Sequence, residues 1–285
     1  MTSQDTSPTQ RIDTGTDDLL CWIDGQVAVI SFNRPDRRNA LSDAMYAGFG
    51  RVLPELAVHP DVRVLMVTGE GAAFCAGGDV KAMNESNTSG AARGAQPADR
   101  EARVTWLRLR QQAVSLALHE FAKPVVAALP GAAAGAGLSI ALAADLRIAS
   151  DTALVVPAFA DIGGSGDFGG SWFLTHLVGP AKAKELYYWS PRLSAAEAAS
   201  LGLINEVFPA DGFRERALDY CQRLAARAPI ALRYMKENIN RAATCDLSTA
   251  LDAEAVAMVA ALSTKDHKEA AAAFVEKRSA TFTGR

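Results

Sequence analysis

"KPVVAALPGAAAGAGLSIALAAD", residues 123–145, decides between two very different proteins. By raw hydropathy it resembles a membrane span. Alanine and glycine dominate it, however, and Pro124 and Pro130 interrupt it. A bilayer asks for about 20 consecutive apolar residues in one helix. A short Val-rich run, a Pro-Gly turn and a small-residue segment fit a buried strand, a turn and a helix better. "PVVAALP" (124–130) is therefore read as a strand, and no membrane span is expected.

Outward from that unit, "QVAVISFN" (26–33) and "DVRVLMVTG" (61–69) are strands by their Val and Ile content, with shorter candidates at "LRIAS" (146–150) and "ALVVP" (153–157). "ALSDAMYAGFGRVLPELAVH" reads as a helix with Asn39 or Ser42 as its cap. Strands alternating with helices give an α/β class. From "SAAEAASLGLINEVF" (194–208) onward the spacing turns helical. The expected organisation is a flexible arm over 1–20, an α/β core over 21–208 and a helical region over 209–285. Residues 84–100, "NESNTSGAARGAQPADR", read as a loop that either covers a channel or is a plain surface insertion. Arg100, Arg103, Arg108 and Arg110, in and before the next helix, read as a solvated face.

The chain has 285 residues, 29 basic and 32 acidic, for a net charge of −3. It shows no basic stripe with interleaved aromatics, so nucleic acid is not an expected partner. Cys21, Cys75, Cys221 and Cys245 are scattered and His59, His119, His176 and His267 do not cluster, so structural zinc is not expected. The polar, aspartate-bearing first 20 residues match neither a secretory nor a transit peptide, which leaves a cytoplasmic expectation.

Two Gly/Ala turns stand out: "GAAFCAGGDVK" (71–81) and "LPGAAAGAGLSIALAAD" (129–145), each after a strand. Small residues let a ligand approach the backbone, and N–H groups at a helix start point outward. Two such donors could hold a thioester oxygen as it becomes an enolate; tight helix packing explains the same composition. Neither turn has the spacing of a dinucleotide or nucleotide-triphosphate loop. A third stretch, "VPAFADIGGSGDFGG" (156–170), carries Asp167 in thinly covered backbone, either as a turn residue or as an acid/base group facing a narrow pocket.

Taken together, "NRPDRRNAL" (33–41), "AFCAGGDV" (73–80), "PGAAAGAGLSIALAADLRIAS" (130–150), "IGGSGDFGG" (162–170), "SAAEAASLGLINEVF" (194–208) and "FVEKRSATFTG" (274–284) resemble the enoyl-CoA hydratase/isomerase (crotonase) family in order and spacing, from about residue 23 to the end. The resemblance implies a spiral of ββα units with a helical C-terminal trimerisation region, assembled as a homotrimer or a hexamer. It implies an acyl-CoA thioester substrate, with coenzyme A present as part of that substrate, no dissociable cofactor and no metal. The N–H groups of Ala76 and Ala136 would be the two oxyanion donors. Coenzyme A would lie against Phe74–Val80, that is Phe74, Ala76, Gly77, Gly78, Asp79 and Val80, and against the loop of Arg37, Arg38 and Ala40. Phe282 would reach an adjoining coenzyme A site.

The acids depart from the family. Its hydratases use two glutamates, and the matching positions hold Ser139 and Ala158; Asp161, three residues on, has no family role. Asp167 matches an aspartate that serves as acid/base in some isomerases of the family. The resemblance therefore implies double-bond isomerisation or hydration of an enoyl-CoA through a stabilised enolate. The alternatives are a catalytically silent acyl-CoA-binding or scaffold protein and an aryl-CoA dehalogenase-like hydrolase, for which no histidine offers a match. Phe168 and Trp172 are read as pocket lining or as core.

Overall fold

The computed structural model describes residues 10–89, 96–97 and 99–285. The chain opens with β1 (Gln10–Ile12), β2 (Leu19–Asp24) and β3 (Val27–Phe32), an antiparallel meander. Residues 10–20, expected as part of a flexible arm, hold β1 and the start of β2. Ile12 is buried opposite Cys21, and the Thr14 hydroxyl donates to the carbonyls of Thr16 and Leu19 at 2.7 and 2.6 Å. Residues 1–9 lie outside the described residues.

Helix α1 (Asp43–Val58) starts at Ser42, whose hydroxyl accepts from Met45 N–H at 3.3 Å and donates to Asp18 at 2.6 Å. Asn39, the other candidate cap, does different work. It is fully buried, its side-chain oxygen accepts from Arg34 N–H, and its amide donates to the carbonyls of Glu70 and Ala73.

The centre of the molecule is a repeated pair of strands. β4 (Val64–Gly69) and β5 (Ala73–Cys75) lead into α2 (Val80–Ser89). Helix α3 (Arg100–Gln111) passes through one wide turn into the short α4 (Ala117–His119). β6 (Val125–Leu129) and β7 (Ala132–Ala134) then lead into α5 (Ala136–Leu142), and β8 (Leu146–Ser150) and β9 (Leu154–Val156) lead, after an irregular stretch, into α6 (Gly170–Trp189). The first strand of each pair joins a seven-stranded sheet, ordered β1-β2-β3-β4-β6-β8 and closed by β11 (Glu206–Phe208). The second joins a four-stranded sheet, β9-β7-β5, edged by β10 (Leu193–Ser194). Each unit is a ββα turn of a spiral. Its strands run parallel within each sheet, and β3, β4 and β6 are buried throughout, as two covered faces require.

One apolar core lies between the sheets and α1, built on Phe32, Phe49 and Phe74. A second lies on the far side of the main sheet, where Val27, Val64 and Ile148 meet Phe213 and Cys221 of α8 (Phe213–Ala225). Helix α8 therefore covers the core sheet. The helices α9 (Pro229–Ala242), α10 (Leu247–Leu262) and α11 (Lys265–Glu276) follow it, after α7 (Ala195–Ser200) earlier in the chain. Residues 84–89, expected as loop, continue α2; residues 90–95 and 98 lie outside the described residues. Among the described residues no single helix is long and apolar enough to cross a membrane.

Candidate functional site

The ββα spiral brings the end of β5 against the start of α5, and glycine makes the approach possible. A Cβ on Gly137 would stand 2.3 Å from the Cys75 carbonyl oxygen. One on Gly77, whose φ is +81°, would stand 2.7 Å from the Ala134 oxygen and 3.1 Å from the Ala136 nitrogen. The segments that carry Ala76 and Ala136 are thus in backbone contact. Ala136 opens α5, so its N–H has no acceptor within the helix. Ala76 N–H is engaged: it donates to the Arg38 carbonyl at 3.0 Å. Arg38 and Asn39 hold φ of +51° and +57° to present that carbonyl, and the Asn39 side-chain bonds fix the turn. Beneath, burial pushes the Cys75 thiol up to about 12, which keeps it neutral.

The loop and segment assigned to coenzyme A by resemblance are zipped together. Leu41 N–H donates to the Gly77 carbonyl at 2.8 Å, and Leu41 bridges Gly78. Arg34 and Arg37 both face Asp79, at 3.6 and 3.8 Å, while Arg38 is exposed and Ala40 buried. Val80 is half exposed. The Phe74 side chain is core, packed edge-on to Phe32, so only its backbone faces the segment. Phe282 lies elsewhere. It lines a groove of about 570 Å³ with residues of α9, α10 and α11, and its carbonyl accepts from Arg63.

Asp167 follows Gly166, whose φ of +98° lets the chain lie on the ring of Tyr187; a Cβ there would be 2.7 Å from Tyr187 Cε1. Next to it, Phe168 is buried, stacks on Tyr46 at 5.7 Å and donates its N–H to the Gln111 side-chain oxygen at 2.9 Å. The carboxyl is thereby held on a fixed backbone. Its Oδ1 is shielded from solvent and has no hydrogen-bond partner. Desolvation pushes the Asp167 carboxyl up to about 6, because no cation offsets the burial. Asp167 therefore combines a turn position between Gly166 and Phe168 with a desolvated carboxyl.

The remaining sequence candidates separate. Ser139 is buried, donates to the Gly135 carbonyl at 3.3 Å and lies beside the Tyr187 hydroxyl. Ala158 has φ of +62° and no carboxylate to offer, and Asp161 is exposed. Trp172 is partly exposed and packs on His119, Phe173 and His176, with ring centroids 5.3, 5.1 and 4.0 Å away. Arg110, expected on a solvated face, is not on one. Its guanidinium lies 3.4 Å over the Trp106 ring and donates to Asp43 at 2.8 Å. Among the described residues no group of histidines, cysteines and carboxylates could hold a metal ion. Sequence reasoning missed Tyr46, Gln111 and Tyr187, which surround Asp167 from α1, α3 and α6; no motif flags them.

Comparison with known proteins agrees with this geometry. The family model described as enoyl-CoA hydratase/isomerase matches residues 23–285. The short-chain-enoyl-CoA hydratase of Clostridium acetobutylicum is 35% identical over 90% of this chain and 93% of its own. The 1,2-epoxyphenylacetyl-CoA isomerase of Escherichia coli is 33% identical over 94% and 98%. A crystal structure of an enoyl-CoA hydratase from a Polaromonas species superposes with a TM-score of 0.84 at 34% identity, covering 93% of this chain and 99% of that one. The ββα spiral, the paired Gly/Ala turns and these matches together make the chain a member of the enoyl-CoA hydratase/isomerase (crotonase) family.

Proposed function

We propose that the protein isomerises the double bond of an enoyl-CoA, with Asp167 as its single acid/base. The observation that carries this reading is the desolvated Asp167 carboxyl, whose Oδ1 has no hydrogen-bond partner and which burial pushes up to about 6. The ionised carboxylate takes a proton from C2 of a 3-enoyl thioester. The C–H electron pair becomes the C1=C2 bond of a dienolate as the C1=O π pair moves onto the thioester oxygen; the C2=C3 bond forms, and the carbonyl is restored, only when C4 is protonated. The N–H groups of Ala76 and Ala136 hold that oxygen. Protonated Asp167 then returns the proton at C4, leaving a 2-enoyl thioester and an unchanged enzyme. One carboxyl suffices, whereas water addition would ask Asp167 to handle a water molecule as well.

For the thioester oxygen to be held at Ala76, it must displace the Arg38 carbonyl from that N–H. This contact favours a second reading, that of a silent acyl-CoA-binding protein in which the donor stays capped. Mass analysis of products in D₂O, with a panel of 2-enoyl- and 3-enoyl-CoAs, separates the readings. Deuterium uptake with a shifted double bond supports isomerisation, a product heavier by one water establishes hydration, and no change supports the silent binder.

The assembly proposed with this activity is a homotrimer or a pair of trimers formed through the C-terminal helices. Met235, Ile239, Val256, Met258 and Val259 are more than half exposed on α9 and α10, and apolar side chains gathered this way are what a subunit interface would cover. Sedimentation of the protein as a monomer at micromolar concentration would remove that proposal.

A further inference from the structure

The Asp167 carboxyl is aimed by something other than its own hydrogen bonds. Its Oδ1 has no partner, so its direction is that of the backbone that bears it. That backbone is loose in itself. Glycine fills five of the eight positions from 163 to 170, and Gly163, Gly166 and Gly169 take φ of +68°, +98° and +77°. Phe168 is a bulky residue held at φ of +50°, a conformation that costs about 1–3 kcal/mol and persists only where the surroundings impose it. Two contacts impose it. The Phe168 ring is buried and stacks on Tyr46 of α1, 5.7 Å away with the planes 9° apart. The Phe168 N–H, part of the peptide that joins it to Asp167, donates to Gln111 Oε1 at 2.9 Å. The remaining bonds of the segment are local: Gly163 and Gly164 reach back to Ala160 and Phe159, and Gly170 to Asp167. Among the described residues, Gln111 is the only side chain that hydrogen-bonds the backbone of residues 165–169. It ends α3 where the next five residues, Gln112–Leu116, open into a π-turn, a form that is rare in helices and recurs at functional sites.

A donor placed on the carboxylate would also orient it, but it would stabilise the charged form and weaken the base. Orientation through the adjoining peptide leaves the carboxylate free to take a proton. The acceptor that holds this peptide must be uncharged, because a second negative charge would oppose the ionisation of Asp167. A glutamine carbonyl meets both conditions. Resting on the assignment of Asp167 as acid/base above, we propose that Gln111 is a positioning residue: its side-chain oxygen, acting through the Phe168 N–H, keeps the Asp167 carboxyl aimed at the proton it moves. The titratable and charged groups around Asp167 are the phenols of Tyr46 and Tyr187, which burial keeps neutral, and Arg110, which lies against Tyr46 with its guanidinium on Asp43. A change at Gln111 alters the charge of none of them.

The test measures initial rates against pH on the 3-enoyl-CoA that the wild type isomerises. Gln111→Met keeps the length of the side chain and removes the acceptor. Its kcat is expected to fall about tenfold or more with KM within about twofold, the signature of a misaimed base. The acid limb of kcat/KM, at about 6 in the wild type, should move down as the loosened carboxyl meets water. Gln111→Glu keeps the acceptor and adds a charge against the Asp167 peptide. Its kcat is expected to return to within about threefold of the wild type, with the limb moved up. A glutamine that served the fold alone would lower the melting temperature of Gln111→Met and leave both limbs in place. An unchanged kcat in Gln111→Met, a loss that Gln111→Glu does not restore, or limbs that stay put in both variants overturns the inference and leaves the isomerase reading standing. If Gln111→Met melts below the assay temperature, Gln111→Glu decides alone: a raised limb supports the inference and an unmoved one overturns it. A wild type silent toward every thioester overturns both.

Discussion

Asparagine at position 167 separates the electrostatics of the acid from every other feature of the site. In the folded chain the carboxyl has moved from its ordinary 3.8 to about 6, so folding disfavours its ionised form. Between those values the native state holds a proton that the unfolded state has released, and stability falls as pH rises through that window. At neutral pH the full cost is about 3 kcal/mol, from 1.36 kcal/mol per pH unit. Asparagine carries no charge at any of these pH values, so whatever constant offset its amide introduces cancels when the pH is varied. The difference in unfolding free energy between Asp167→Asn and the wild type should therefore move in favour of the variant by about 2 kcal/mol between pH 4.5 and 7.5. Urea titrations of both proteins at one protein concentration measure it. The same variant should lose catalysis by at least about a hundredfold. Wild-type kcat/KM should rise with pH through about 6, as the base form appears. A stability difference flat to within about 0.5 kcal/mol across that range would refute the claim that this carboxyl is desolvated and unpaired.

Gly137→Ala should cost about 3 kcal/mol or more and collapse activity, since its Cβ would be driven to 2.3 Å from the Cys75 carbonyl and force the two donor segments apart; thermal unfolding and turnover report both effects. Asn39→Ala removes a buried side chain that bonds Arg34, Glu70 and Ala73, and should lower stability by about 2–4 kcal/mol in a denaturant titration. Lys236→Met leaves the largely buried Asp145 without the cation 2.9 Å away, and a loss of about 3 kcal/mol is expected, again by denaturant.

The strands were legible because valine and isoleucine runs between turn residues have one inexpensive interpretation, and β3, β4, β6 and β8 fell where those runs lie. The Ser42 cap was legible for the same local reason, since it serves an N–H three residues away. Asn39 was not, because its partners lie more than 30 residues on, across the sheet. The polar "NESNTS" run concealed the end of α2, since low propensity says loop unless tertiary structure supplies the helix. Asp167 was singled out by its glycine surroundings and by family resemblance, whereas its environment came only from the fold. Tyr46, Gln111 and Tyr187 carry no mark in the sequence; three separate helices deliver them to one place. The sequence does not show that the Phe74 side chain packs in the core, or that Phe282 lines the groove between the last helices; the chain path supplies both.

The contrast between the two halves of this site bears on how new reactions arise in it. On the mechanism proposed above, the donor half is built from main chain and protected by glycines, so ordinary side-chain drift passes over it. The other half consists of side chains and is free to change, but not one residue at a time. A carboxylate at Ala158 would have to adopt a backbone with φ of +62°, which is strained for any side chain. A carboxylate at Ser139 has no room while Tyr187 and Gly170 close around that hydroxyl. Reaching a two-glutamate site from this sequence therefore requires Tyr187 to shrink first, and the order of substitutions is constrained. An engineer introducing a second carboxylate into this scaffold would begin at position 187.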